Sequence, residues 1–117
     1  MVTLRRIAPI FPVHDLDAAL EFYKRLGFAV RSWAGSANTY GYATREGIEL
    51  HLGVVPADHR HIGSAYLFVD DSEALAAEWQ AAGVEVHAPE DTEWNQHEGA
   101  VVDPDGNVIR FGSPMES

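Results

Sequence analysis

Apolar residues recur at helical spacing twice along the chain, and the two stretches match. Leu16, Ala19, Leu20, Tyr23 and Leu26 lie three or four positions apart, as on one face of a helix, and Leu75, Ala76, Trp79 and Ala82 repeat the pattern. At one constant offset, "VHDLDAALEFYKRLGFAV" (13–30) lies over "VDDSEALAAEWQAAGVEV" (69–86), so that Val13 meets Val69, Tyr23 meets Trp79 and Gly27 meets Gly83. Each predicted helix follows an aspartate suited to cap it, Asp15 or Asp71, and each ends at a glycine able to take the left-handed conformation.

Shorter runs rich in β-branched and aromatic residues flank both helices. "RRIAPIFPV" precedes the first, and segments near 28–34, 38–44 and 47–54 follow it. "SAYLFV" precedes the second, with segments near 84–88, 97–103 and 107–112 after it. The turns are "REG" (45–47) and "DPDG" (103–106). Together these predict an α+β fold, a single domain over 1–117 made of two βαβββ modules, about 1–55 and about 63–114, with a linker near 55–62. Neither module has strands enough to wrap a core, so the two are expected to combine into a curved mixed sheet with a concave cleft. Its open apolar edges predict a homodimer.

Composition narrows the function classes. Eighteen acidic residues against eight basic give a net charge of -10, which repels nucleic acid and anionic membranes and attracts cations. No apolar run reaches the roughly 20 residues that span a bilayer, and the N-terminal stretch lacks a cleavage-site pattern, so a cytoplasmic protein is expected. Cysteine is absent from the sequence, which removes disulfides and thiolate chemistry together. The chemistry left is that of carboxylates, hydroxyls, aromatic rings and six histidines. His59 and His61 form the best histidine pair, but a surface His-x-His in a linker is read as solvated, leaving no metal or other cofactor expected.

"PVHDLDAALEFYKRLGF", "GIELHL" and "DTEWNQHEGAVVDPDGNVIRF" together resemble the vicinal oxygen chelate superfamily, which includes glyoxalase I, extradiol dioxygenases, fosfomycin resistance enzymes and bleomycin resistance proteins. The likeness spans nearly the whole chain and is strongest to the bleomycin resistance branch. It implies that the four metal-ligand positions of the enzymes fall here on Ala8, Glu49, Ser64 and Arg110. Only Glu49 is an ordinary ligand for a divalent ion, because alanine has no donor, a serine hydroxyl is poor and arginine is a permanent cation. The resemblance therefore points away from catalysis and names no catalytic residue.

If Glu49 and Arg110 face the cleft, period-two alternation brings His51, Val108, Tyr66, Phe68, Ser64, Ala8 and Ile10 with them. Glu49 and Arg110 are expected either to pair across the floor or to be solvated at its rim. The resemblance assigns Trp33 and Trp94 to the aromatic clamp that holds the flat part of the drug, with Tyr40 and Tyr42 nearby; the other reading packs Trp33 at a subunit interface and lays Trp94 over the edge of the core. The expected ligand contacts are thus Trp33, Tyr40, Tyr42, Glu49, His51, Tyr66, Phe68, Trp94 and Arg110. The expected function is to sequester an aromatic, cationic antibiotic or metabolite without turnover. The alternatives are a metal-dependent lyase, isomerase, dioxygenase or thiol transferase of the same superfamily, and a non-catalytic regulatory module.

Overall fold

The computed structural model describes residues 1–35 and 38–115. Its elements are β1 (Ile10–Val13), α1 (Leu16–Arg25), β2 (Ala29–Ser32), β3 (Tyr40–Arg45), β4 (Ile48–Val54), β5 (Ser64–Phe68), α2 (Ser72–Ala81), β6 (His87–Asp91), β7 (Gln96–Val102) and β8 (Val108–Pro114). The βαβββ order thus occurs twice, as the repeat predicts. Each module forms its own four-stranded mixed sheet, in the orders β1-β4-β3-β2 and β5-β8-β7-β6. The outer pairs β1/β4 and β5/β8 are parallel and the remaining pairs antiparallel.

The repeat extends to the helix ends. Asp15 accepts a hydrogen bond from the Ala18 N–H at 3.1 Å, and Asp71 accepts one from the Ala74 N–H at 3.0 Å, each satisfying an amide that the helix leaves unpaired. Gly27 and Gly83 sit at φ 88° and 83°, and the residue after each donates back into its helix: Phe28 to Tyr23 and Val84 to Trp79.

Two strands differ from expectation. The first begins only at Ile10, because Pro9 has no N–H; its carbonyl accepts from the His51 N–H at 2.9 Å, and the residues before it lie outside the ladder. The sixth begins at His87 rather than 84, because the Val84 amide is committed to the helix cap. It then runs irregularly past Pro89, a residue that an edge strand tolerates.

The modules share one core. Tyr23 and Phe11 pack from the first, Trp79, Ile109 and Phe111 from the second, with Leu26, Leu50 and Leu52 fully enclosed. Polar ties cross the same boundary. Trp79 Nε1 donates to the Leu26 carbonyl at 2.9 Å, Asn107 Nδ2 donates to the Pro12 carbonyl at 2.8 Å, and Arg45 holds both oxygens of Glu78 at 2.7 and 3.1 Å. Helix α1 lies against β2, β3 and β4, and α2 against β6, β7 and β8. One face of each sheet is thereby covered, and the side chains discussed next stand on the other. No helix among the described residues is long and apolar enough to cross a membrane.

Candidate functional site

Strand alternation sorts β4 as expected from Glu49 onward, while Ile48, expected under the helices, is exposed at the strand's start. Leu50 and Leu52 are buried, while Glu49 and His51 are only partly covered on the opposite face. His51 pairs in register with Tyr42 on β3 and with Ile10 on β1. The Tyr40 hydroxyl meets His51 Nδ1 at 2.8 Å, and the rings of Tyr40 and Tyr42 stand edge-on to the imidazole at 5.5 and 4.9 Å. Burial first, and then the Arg6 and Arg31 charges, hold His51 below its ordinary value, so it is neutral at physiological pH. Its Nε2 is buried without a hydrogen-bond partner and lies 3.6 Å from Glu49 Oε1. Arg31 rests 4.1 Å above the Tyr42 ring, so one face of that ring already holds a cation.

Beside this cluster lies an open recess of about 860 Å³, bordered by Ile10, Trp33, Tyr40, Tyr42, Ile62 and the linker histidines His59 and His61. Trp33 is half exposed, as are Ile10 and Ile62. The His59 and His61 rings stand 5.5 Å apart. They bring the linker to the aromatic wall, a placement that the sequence does not reveal.

The second module carries a matching face. Phe68, Gly112 and Glu98 form one row across β5, β8 and β7, and Tyr66, Arg110 and Ala100 form the next. The Tyr66 and Phe68 rings lie 4.8 Å apart. Trp94, between β6 and β7, donates its indole N–H to Glu98 Oε1 at 3.1 Å, and Arg110 Nη1 lies 3.5 Å from Glu98 Oε2. Burial foremost, and then the Glu98 carboxylate, raise the Tyr66 hydroxyl above its ordinary value. These side chains and Gln96 enclose about 380 Å³.

The expected pair between Glu49 and Arg110 does not form. The two stand on different sheets, and each has another partner: Arg6 for Glu49, and Glu98 for Arg110. The faces adjoin at the seam, where Glu49, Tyr66 and Phe68 border a cavity of about 300 Å³. The position opposite Arg110 on β5 is also Tyr66 rather than Ser64, which pairs with Val108, while Ala8 precedes β1. A divalent ion does not fit these residues. Glu49 is neutralised by Arg6, Arg110 on β8 is a guanidinium, and among the described residues no group of three histidine or acidic side chains is arranged to hold a metal ion.

Glu98, Gln96 and Arg6 are functional candidates that the sequence reading passed over. Glu98 and Gln96 were accessible through β7, whose alternation places both on the face of Ala100, the ladder partner of Arg110. Arg6 precedes the first strand, where no periodicity signals its direction.

Residues 4–111 match the profile of the Glyoxalase/Bleomycin resistance protein/Dioxygenase superfamily. A bleomycin resistance protein from Klebsiella pneumoniae is 30% identical over 113 residues, covering 88% of this chain and 87% of that one. Among solved structures, a bleomycin-binding protein complexed with bleomycin superposes with a TM-score of 0.81 at 27% identity, over 94% of this chain and 98% of the other. An antibiotic-binding protein from a Streptomyces species gives 0.77 at 28% identity, over 97% and 98%.

Proposed function

The chain belongs to the glyoxalase/bleomycin resistance protein/dioxygenase superfamily, and on that premise we propose that it sequesters a flat aromatic, cationic antibiotic or metabolite of the bleomycin type without chemical turnover. The observation that carries this reading is a matched equipment on the two sheets. Each open face presents a half-exposed tryptophan, further rings and a shielded carboxylate: Trp33, Tyr40, Tyr42 and Glu49 on one, Trp94, Tyr66, Phe68 and Glu98 on the other.

Large rigid rings offer stacking area at little entropic cost, and carboxylates in a shielded setting favour a cation. The net charge of -10 raises the local concentration of such a ligand. The two faces belong to separate recesses within one chain. A homodimer that sets the first face of one copy against the second face of its partner would complete a two-sided clamp and cover exposed Ile10, Phe68 and Ile62. We place this activity in the cytoplasm, where binding alone lowers the free drug concentration by mass action.

Turnover is tested by incubating equimolar protein and bleomycin, denaturing the protein and weighing the released drug. Recovery of unaltered drug is expected, and a product of changed mass would contradict the proposal.

A further inference from the structure

We propose that Tyr66, Phe68, Trp94 and Glu98 form an aromatic cage for an alkylated onium group, a cation without N–H donors, and that Arg110 is the resident cation such a ligand displaces. This deepens the binding reading above and rests on it.

The sheet builds the cage from a deficit of side chain. Gly112 lies between Phe68 and Glu98 in the cross-strand row, leaving room over the backbone into which the Tyr66 ring leans. A Cβ at Gly112 would overlap the Tyr66 hydroxyl and come within 3.1 Å of Gln96 Oε1. That amide oxygen is buried without a hydrogen-bond partner among the described residues. The Tyr66 and Phe68 rings, 4.8 Å apart and inclined by 44°, form two adjoining walls. The third is Trp94, whose ring is fixed by its bond to Glu98, and Phe68 and Trp94 are 76% and 57% exposed. Flat apolar rings exposed around an anion attract a weakly hydrated cation through their negative faces.

The charge at the centre is incompletely compensated. The Glu98 side chain is only 11% exposed, yet its cation, Arg110, is 55% exposed and approaches a single oxygen at 3.5 Å. Arg45 and Glu78 show the contrast within the same chain, a two-point pair at 2.7 and 3.1 Å. A well-formed guanidinium–carboxylate bond is about 2.7–2.9 Å long, so Arg110 is a loose occupant rather than a locked partner. A shielded carboxylate held this loosely is poised to exchange one cation for another. Primary ammonium groups are strongly hydrated and need several acceptors. Three ring faces and one carboxylate instead suit an onium group that sheds water readily.

The test uses choline and its neutral isostere 3,3-dimethyl-1-butanol, titrated against tryptophan fluorescence in a Trp33→Phe background so that the exposed reporter is Trp94. Saturable choline binding is expected, with the alcohol at least about tenfold weaker. Arg110→Met is expected to tighten choline binding several-fold. Glu98→Gln retains an oxygen to accept the indole N–H and is expected to bind choline and the alcohol alike. Equal affinity for the two probes in wild type, or weaker choline binding in Arg110→Met, would overturn the cage. Bleomycin titrated in parallel against the protein with Trp33 intact separates the two ideas. Bleomycin binding without choline selection removes the cage alone, whereas choline selection without bleomycin binding removes the drug and keeps the cage.

Discussion

Tyr23 and Asp103, eighty positions apart, share a buried hydrogen bond of 2.9 Å that joins the first helix to the last hairpin turn. The same carboxylate accepts the backbone N–H groups of Asp105 and Asn107 and the Asn107 side-chain amide, and that amide also reaches the Pro12 carbonyl. Burial foremost, and the adjacent charge of Asp103, push the Tyr23 hydroxyl far above its ordinary value, so it is a permanent donor. "DPDGN" is thus more than a turn. It is the latch between the modules, and it fixes how their open faces are disposed.

Removing the Tyr23 hydroxyl should therefore weaken the whole domain. Tyr23→Phe keeps the ring's packing and is expected to lower stability by about 2 kcal/mol, the value of a buried bond to a charged acceptor. Urea unfolding with an unchanged slope measures it. A loss within about 0.5 kcal/mol, typical of a surface change, would show that the latch contributes little.

His97 gives the protein a pH dependence with a defined sign. Its two ring nitrogens meet Asp91 at 2.9 Å and Glu73 at 3.1 Å, tying β6 and β7 to α2, and these carboxylates hold it above its ordinary value. A raised folded value means that the stabilisation is complete below about pH 6.5, the unfolded value, and is lost as pH rises through the folded one. The stability difference between wild type and His97→Gln should be largest near pH 6 and shrink above it. A difference that grows with pH would contradict the clasp.

Gly112→Ala should disturb the second face through its contact with Tyr66. The added methyl meets the Tyr66 hydroxyl, and overpacking of this kind costs about 1–3 kcal/mol. Adding Tyr66→Phe removes the overlapping atom, so the double variant should recover part of the lost melting temperature. Additive losses in the two variants would refute the contact.

The two-chain clamp makes a complementation prediction. Trp33→Ala and Trp94→Ala should each abolish drug binding alone. Refolded together, they should regain it, because a mixed dimer brings one intact Trp33 opposite one intact Trp94. No recovery, with mixed dimers demonstrated by mass spectrometry, would place both tryptophans of a cleft in the same chain.

The fold was legible because its signals are local. Asp15 and Asp71, Gly27 and Gly83, and the apolar rows on both helices each declare themselves within a few residues. Alternation likewise revealed which residues share a face on β4, β5 and β8. What sequence could not supply was which faces meet. Glu49 and Arg110 carry opposite charges, but the packing through Tyr23, Trp79 and Arg45 leaves them on separate sheets, where Arg6 and Glu98 are their partners. Glu98 itself was legible in principle, one alternation step from Ala100, and was obscured by its closeness to the Trp94 loop.

The binding reading is tested most directly by titrating bleomycin against intrinsic tryptophan fluorescence in wild type, Trp33→Ala and Trp94→Ala. Saturable quenching is expected in wild type at one drug per pair of facing surfaces, and neither variant should reproduce it while both keep their fold by circular dichroism. A flat signal in wild type, or undiminished affinity in both variants, would contradict it.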